Sequence, residues 1–369
     1  VSLSAFVQQK PWYVKPITVR DTCCCRYHVE FELYYDTFLD FGRTLWKDSP
    51  PPSTIREFIS QILCERESDE LFYKKKCVGG KKCDDCGNLT KFQNKYRIDI
   101  NDQSLSNMKV KWKRYEYIGT SIQGANSVKR IELREDEIFL IDFLRKFEAE
   151  IYKYTKHSHR ARWQDLQFKK SREVFPPGTI LSVIDFAENY TFVPQKEIQS
   201  EYYHSDQVSM LVHILYRHAE QNVDHIESTS ENRHIIKEYH FYISDDRTHD
   251  TCFVQHCFGK IYDSLKNRGI TFNEHWIWSD GCAGQFKSAR SFFWLCCLHK
   301  KTCIKHCWNF FETGHGKGEH DGAGACIKRV LRRYQMNHSA SRLVNAKEVV
   351  QWCIAALCYK SKYLLISSE

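Results

Sequence analysis

The sequence contains no long hydrophobic run and no secretory signal. Its longest apolar stretch, residues 291–298, is much shorter than the roughly 20 residues that a membrane-spanning helix needs. We therefore expect a protein that has no membrane partner. The chain also has no internal repeat and no low-complexity tract, and it begins at Val1 rather than at methionine, as an excerpt or a processed product would.

Composition and charge favour a folded protein and are compatible with a polyanionic partner. The chain has 369 residues, of which 42% are hydrophobic and 14% aromatic, so it can bury a core and disorder is not expected. This length corresponds to roughly two or three domains. Lys and Arg number 54 against 46 Asp and Glu, which gives a charge of +8. A moderate excess of basic residues fits nucleic acid, although ordinary solvated surfaces also carry excess lysine.

The 17 cysteines favour metal binding over disulfides. Their number is odd, so they cannot all pair within the chain, and many have the C-x-x-C or C-x-x-H spacing of zinc ligands. This pattern indicates a reducing compartment. Residues 74–88 are rich in lysine and glycine and cannot bury free thiols, so we expect a structural zinc there. The most economical ligand set is Cys64, Cys77, Cys83 and Cys86. Cys25 and His28 then form a second half-site or replace two of these four.

The first half of the chain differs in pattern from the second. Residues 1–100 are cysteine-rich and predict a zinc-binding region, and residues 101–172 predict a helical connector. Within the connector, alternating residues before position 117 are typical of a hairpin strand. Apolar stripes then predict a helix over 133–157 and a short second helix over 161–170.

Beyond Gly178 the pattern changes to strands and then alternating helices and strands. Strands are predicted over 180–186, 201–215, 235–244, 270–279 and 303–312, and helices over 252–266, 289–298 and 322–334. This order is that of RNase H-like proteins, in which helices cover a mixed sheet. The expected fold class is therefore α/β, with an RNase H-like catalytic domain over residues 173–335. A C-terminal helix and tail occupy residues 336–369.

Three aspartates occupy the positions at which an RNase H-like enzyme carries its acids. Asp185 ends the first predicted strand, Asp280 ends the fourth, and Asp321 opens the last main helix. Each alone has a simpler explanation as a strand-end turn or a helix cap. Together they predict carboxylates that converge on two divalent ions, about 3.5–4 Å apart, which can clamp a phosphodiester during cleavage.

A glycine-rich segment, residues 314–318, precedes the third aspartate. Its spacing is not that of a Walker A motif. We interpret it as a loop that presents His315 and Lys317 to the substrate, where Lys317 would bind a phosphate. The alternative is a glycine turn on the protein surface. A rival hypothesis makes Cys282 a nucleophile with His315 and Asn309. The order of these residues is not that of papain-type proteases, and no protease signature surrounds Cys282.

Three blocks of the sequence are specific enough to compare with known families. They are residues 184–190 (IDFAENY), 279–287 (SDGCAGQFK) and 314–322 (GHGKGEHDG). They resemble blocks in a large group of transposon-derived proteins of eukaryotic genomes, most of them uncharacterised. The cysteine patterns of residues 20–28 and 64–86 are similar to the same group. The group looks like a branch of the RNase H-like cut-and-paste transposases.

The resemblance implies a Mg²⁺- or Mn²⁺-dependent strand-transfer enzyme with Asp185, Asp280 and Asp321 as metal ligands. The third acid of the wider transposase pattern is more often Glu, so Glu319 or Glu312 is an alternative to Asp321. The expected function is DNA transposition or a domesticated derivative of it. The expected partners are transposon ends, target DNA and further copies of the chain in a homodimer or higher oligomer, in the nucleus. The alternative is a catalytically inactive, zinc-containing DNA-binding or adaptor protein.

Overall fold

The structure is a computed structural model that divides the chain into two compact units, Val1–Trp163 and Gln164–Glu369. The boundary lies within a long helix. Among the residues that the structure describes, no helix is long and apolar enough to cross a membrane. The described residues are 23, 25–64, 73–78, 83–97, 105, 107–120, 128–192, 206–337, 343–357 and 364–368.

The first unit packs helices around an aromatic core. Its elements are α1 (Arg26–Leu45), α2 (Ile55–Ile62), α3 (Thr90–Lys95), the antiparallel hairpin β1 (Lys109–Thr120) and β2 (Val128–Phe139), and then α4 (Leu140–Val174). Phe31 and Phe38 of α1 are fully buried against Phe147 of α4. The rings of Phe38 and Phe147 lie 4.8 Å apart between centroids. Aromatic burial of this kind is a main source of stability in this unit.

Two predictions for this region are wrong. Residues 133–139, expected to begin a helix, form the second half of β2. Cross-strand ion pairs stabilise this strand, among them Arg114–Asp136, with an N–O distance of 2.8 Å. The helices predicted over 133–157 and 161–170 are parts of one helix, α4, because no proline or glycine interrupts it. The segment predicted as a helical connector therefore also contains a β-hairpin.

The second unit contains a six-stranded mixed sheet. Its strands are β3 (Thr179–Thr191), β4 (Gln207–His218), β5 (Ile235–Ser244), β6 (Glu274–Ser279), β7 (Lys305–Phe310) and β8 (Leu364–Ser368). They lie in the order β7-β6-β3-β4-β5-β8. β3, β4 and β5 are mutually antiparallel neighbours, whereas β6 is parallel to β3, β7 to β6 and β8 to β5.

Helices cover both faces of this sheet. Helices α6 (Thr251–Asn267) and α7 (Ala289–Thr302) pack on the face that carries Ile184 and Leu211. Helices α8 (Glu319–Asn337) and α9 (Ala346–Leu357) pack on the face that carries Val183 and Val212. The one-turn helix α5 (Gln221–Asp224) connects β4 to β5. The expected α/β class, a mixed sheet flanked by helices, is confirmed.

Most elements of the second unit lie where the sequence predicts them. β5 has the predicted bounds, and α6 extends the prediction by one residue at each end. The fourth strand begins at Glu274 rather than at 270, because Gly269, with φ +77°, and the residues after it form the connection from α6. Residues 201–205, expected to open the second strand, lie outside the described residues.

A buried ion-pair network joins β4, β5 and α5. Arg217, only 2% exposed, donates to Asp224 at 2.6 Å and to Glu238 at 2.7 Å. Arg268 donates two further hydrogen bonds to Glu238, each of 2.8 Å. Burial alone would raise the pKa of Glu238, but the hydrogen bonds from His240, Arg268 and Arg217 outweigh it and hold this pKa well below its ordinary value. The network is therefore charged and fully paired at neutral pH.

Candidate functional site

Two of the predicted acids follow the paired part of neighbouring strands. β3 and β6 are parallel, and their register pairs Val183 with Trp278. Asp185 lies two residues beyond Val183 within β3, and Asp280 lies two residues beyond Trp278, just after the end of β6. Because side chains alternate between the faces of a sheet, Asp185 lies on the face of Val183, which is the face that α8 covers.

Helix α8 brings the third acid to this place through an unusually close contact with the sheet. At Gly324 of α8 an added Cβ would lie 3.2 Å from the Cβ of Ala187 and 3.4 Å from Cγ2 of Val212. Only a residue without a side chain permits so close an approach without displacement of a neighbour. The first turn of α8 consequently lies beside Asp185, and ligand atoms of Asp185, His320 and Asp321 all lie within 4.8 Å of one another.

His320 is a member of this cluster that sequence reasoning missed. Its Nε2 lies 3.4 Å from Oδ2 of Asp185 and 3.5 Å from Oδ2 of Asp321, and the residue is 4% exposed. This nitrogen is buried and makes no hydrogen bond with any residue that the structure describes. Its position next to the predicted third acid was a usable signal, since imidazole and carboxylate are the common ligands of divalent metals.

Asp280 interacts electrostatically with the cluster, although it is not among the three residues within 4.8 Å. Burial raises the pKa of Asp280, and the negative charge of Asp185 raises it further. The backbone N–H of Cys282, which donates to Oδ1 at 3.0 Å, and the nearby His320 act in the opposite direction. The net pKa lies above the ordinary value, as expected for a carboxylate that faces a like charge in a half-buried place.

The glycine-rich loop passes directly over these acids. An added Cβ at Gly316 would lie 3.3 Å from the Cβ of Asp280. Any residue larger than glycine at this position would therefore require a small shift of Asp280. The backbone N–H of Gly318 donates to Oδ2 of Asp321 at 2.7 Å. Gly314 adopts φ +76°, a conformation that favours glycine. The loop therefore contacts both Asp280 and Asp321.

An open cavity of about 230 Å³ lies beside the loop within the second unit. Both predicted substrate-binding residues, His315 and Lys317, line it. Two further basic residues from the C-terminal end of α4, Lys169 and Arg172, line it as well. Asp165, which pairs with Lys169 at 2.8 Å, and Glu319 also line the cavity, so its lining carries charges of both signs.

Glu319, the alternative third acid, is engaged elsewhere. Oε1 accepts hydrogen bonds from Lys237 at 2.8 Å and from the hydroxyl of Tyr239, and Oε2 accepts one from Tyr216 at 3.1 Å. Burial pushes the pKa of Glu319 upward, but its contacts with Lys237 and Tyr239 outweigh burial and bring the pKa below its ordinary value. Glu312, the other alternative, is not among the clustered ligands of the described residues. The geometry favours Asp321.

The first unit contains a cluster of four cysteines, as predicted. Cys64 follows α2, Cys77 ends a single 3₁₀ turn, and Cys83 and Cys86 belong to the turns before α3. Their sulfurs all lie within 4.8 Å of one another, and those of Cys64 and Cys83 are 3.5 Å apart. Tetrahedral zinc with Zn–S bonds of ~2.3 Å separates sulfurs by about 3.8 Å, so the cluster is compatible with structural zinc.

The electrostatics of the four thiols also fit a metal ligand set. Backbone N–H groups of Cys86 and Asp85 lower the pKa of Cys83 to about 6, so this sulfur is a thiolate at neutral pH. Burial raises the pKa of Cys64 to about 11, and the same cause raises that of Cys77. When a divalent cation binds to such a group, it displaces the protons of the neutral thiols, so that all four sulfurs bind as thiolates.

Comparison with known proteins places the second unit in a family. Residues 164–369 match the model of a family described as a domain of unknown function (DUF8701), which is more than half of the chain. The chain belongs to this family. No curated protein matches it, and no solved structure matches it. The DUF8701 domain begins at the residue where the second unit begins, so it contains the acidic cluster, whereas the cysteine cluster lies outside it.

The remaining predicted site residues of this DUF8701 protein lie apart from the two clusters above. Cys25 and His28 are close to each other at the start of α1, but neither belongs to the four-cysteine group. The arrangement in which they replace two of those cysteines is therefore not the one observed. Asn309, named in the rival thiol-enzyme hypothesis, donates through its side-chain amide to the carbonyl oxygens of Ile277 and Cys307, which gives it a structural role in the sheet.

Proposed function

We propose that this DUF8701 protein is a DNA transposase, or a domesticated derivative of one, that cuts and joins DNA strands with the help of divalent metal ions. One observation carries the proposal. Asp185, His320 and Asp321 converge within 4.8 Å, and Asp280, which follows the adjacent parallel strand, interacts electrostatically with Asp185 and His320. Each of these acids accepts a backbone hydrogen bond, but their mutual repulsion is relieved only when a cation lies between them.

The strand order supports an RNase H-like fold for the second unit. Three antiparallel strands, β3 to β5, come first in the chain, and β6 and β7 are then added in parallel on the free side of β3. In this arrangement the acids of the first strand, the fourth strand and the last main helix meet at one place. Asp185, Asp280 and Asp321 occupy these three positions.

The residues present fit a divalent metal ion. Asp185 and Asp321 supply hard oxygen ligands of the kind that Mg²⁺ and Mn²⁺ prefer, and the nitrogen of His320 shifts the preference towards Mn²⁺. The buried Nε2 of His320 has no hydrogen-bond partner among the described residues, which is a further mark of a ligand position. When bound, such ions would activate the attacking group and stabilise the leaving oxygen of a phosphodiester.

The protein's own groups would position the DNA. Lys317 on the glycine-rich loop is exposed, and with His315, Lys169 and Arg172 it lines the cavity beside the acids. Positive side chains at this place would hold the phosphates that flank the scissile bond. The net charge of +8 agrees with a polyanionic substrate.

A zinc ion on the four-cysteine cluster would have a structural role in the first unit. The four ligands connect the end of α2 with the turns before α3. We further propose a nuclear location and assembly as a homodimer or higher oligomer, because DNA transposition requires access to DNA and a pair of transposon ends.

Manganese binding and DNA nicking test the proposal together. The full chain should bind Mn²⁺ in a calorimetric titration and nick supercoiled plasmid DNA when Mn²⁺ or Mg²⁺ is present. Asp185→Asn should weaken Mn²⁺ binding at least tenfold and abolish nicking, while Asp263→Asn, the same change on the exposed surface of α6, should alter neither. Plasmid binding without metal binding or nicking would leave the inactive adaptor protein as the better account.

A further inference from the structure

A second group of thiol and imidazole side chains lies at the start of α1. Cys25 is the N-cap residue of this helix, and His28 lies in its first turn. The Sγ of Cys25 is 3.0 Å from Nδ1 of His28. The Sγ of Cys23 accepts a hydrogen bond of 3.3 Å from the backbone N–H of Cys25. Ligand atoms of these three residues lie within 4.8 Å of one another.

A further imidazole, from a distant part of the first unit, contacts the sulfur of Cys25. His157 lies on α4, 132 residues after Cys25, and its Nε2 is 3.2 Å from the Sγ of Cys25. The residue is 4% exposed. Its ring stacks on Tyr27 at 4.3 Å between centroids, with an angle of 21° between the planes. This packing fixes the direction in which Nε2 points.

We propose that Cys23, Cys25, His28 and His157 hold a second zinc ion, separate from the ion of the four-cysteine cluster. Two sulfurs and two nitrogens form a common ligand set for structural zinc. In a tetrahedral site with Zn–S bonds of ~2.3 Å and Zn–N bonds of ~2.0 Å, a sulfur and a nitrogen lie about 3.5 Å apart. The two distances from Cys25 Sγ, 3.0 and 3.2 Å, are close to this value.

The position of His157 explains why one sulfur contacts two imidazoles. A neutral thiol has one proton and donates it to a single acceptor. A zinc ion bound to a thiolate accepts both nitrogens at once and needs no proton between them. The second zinc would join the N-terminus of α1 to the middle of α4, as the first joins the end of α2 to the turns before α3. The first unit would then have two metal cross-links.

Zinc content and ligand type can be measured on the full-length protein as purified. Elemental analysis should find about two zinc ions per chain. The zinc X-ray absorption spectrum should fit an average of about three sulfurs and one nitrogen, which is the mean of one four-sulfur site and one site with two sulfurs and two nitrogens. One zinc per chain with sulfur ligands alone would overturn the proposal, because the four-cysteine cluster would then account for all the metal.

Paired variants assign the second ion to its ligands. Cys25→Ser combined with His157→Gln should remove about half of the zinc and leave a spectrum with sulfur ligands only, and Cys83→Ser with Cys86→Ser should remove the other half. His159→Gln is the matched control, because it lies on the same helix but faces the carbonyl oxygen of Tyr73 at 3.2 Å. Zinc content that is unchanged in the Cys25 and His157 variant would contradict the assignment. Loss of zinc in the His159→Gln control as well would show a general effect on α4, and it would also contradict the assignment of His157 as a ligand.

Discussion

Gly324 of α8 lies so close to Ala187 of β3 that a Cβ on the glycine would be 3.2 Å from the Cβ of the alanine. This contact determines how near the first turn of α8 comes to the strand that carries Asp185. The acidic cluster therefore depends on a residue that has no chemical function of its own. The relationship connects the packing of the second unit with the geometry of its candidate metal site.

Replacement of Gly324 should harm both stability and metal binding. Gly324→Val adds a branched side chain where there is no room, and overpacking of this kind costs about 1–3 kcal/mol. The displaced helix should also weaken Mn²⁺ binding, because His320 and Asp321 move away from Asp185. Thermal unfolding and a Mn²⁺ titration measure the two effects.

Gly322→Ala supplies the control for this prediction. Gly322 lies in the same helix, and an added Cβ there meets nothing within 4 Å. Since alanine is a better helix former than glycine, this variant should gain about 0.5–1 kcal/mol of stability. Equal stability losses in the two variants would show that α8 tolerates no substitution at either glycine. The close contact of Gly324 with Ala187 would then not explain the loss in Gly324→Val.

The buried network around Glu238 should make the protein sensitive to acid. Burial raises the pKa of Glu238, but His240, Arg268 and Arg217 outweigh it, so the folded-state pKa lies far below that of the unfolded chain. A depressed pKa means that the carboxylate contributes its full stability above the unfolded value of about 4.3 and loses it progressively as the pH falls towards the folded value. The free energy of unfolding should therefore decrease below about pH 4.3.

Glu238→Gln isolates this contribution. At pH 7 it should lower the free energy of unfolding by about 3 kcal/mol, because two arginines lose a buried partner. The variant should also lose part of the acid sensitivity. Denaturant titrations between pH 3 and 7, with the exposed Glu231→Gln as control, measure both. An acid dependence identical to that of the wild type would contradict the role assigned to Glu238.

Lys317 should contribute to DNA binding without being needed for metal binding. It is exposed on the loop above the acids, where it would contact one phosphate. Lys317→Ala should weaken plasmid binding several-fold and lower the slope of log affinity against log salt by about one, and Mn²⁺ binding should stay the same. Lys301→Ala on α7 removes an exposed lysine elsewhere in the same unit. An equal effect from both variants would mean that Lys317 acts only through the net charge.

Much of the second unit could be predicted from its sequence. The apolar run before Asp280 correctly predicts the end of β6 at Ser279. The prediction that Asp185 ends its strand is wrong, because β3 continues to Thr191 through its antiparallel pairing with β4. The third acid reaches Asp185 through the contact between Gly324 of α8 and Ala187 of β3, which is not visible in the sequence pattern of either element.

Other features depend on contacts that local patterns do not reveal. Residues 133–139 form a strand because charged partners on β1 pair with them, as in Arg114–Asp136, whereas their apolar spacing alone also fits a helix. His157 and His320 were missed for the same reason. His157 lies 132 residues from the thiol that it contacts, and the contact of His320 with Asp185 joins a helix to a strand that is distant in sequence.

The most direct test of the central claim compares cleavage and binding of the same supercoiled plasmid by the wild-type protein and by Asp280→Asn. Binding arises from many Lys and Arg contacts with phosphates, so the variant should bind in a gel-shift assay within about twofold of wild type. Cleavage depends on a few carboxylates that hold metal ions, and loss of one should reduce Mn²⁺-dependent nicking by a factor of at least about 100, or roughly 3 kcal/mol. If Asp280→Asn nicks the plasmid as fast as the wild-type protein, the acidic cluster is structural and the protein is not the metal-dependent DNA enzyme proposed.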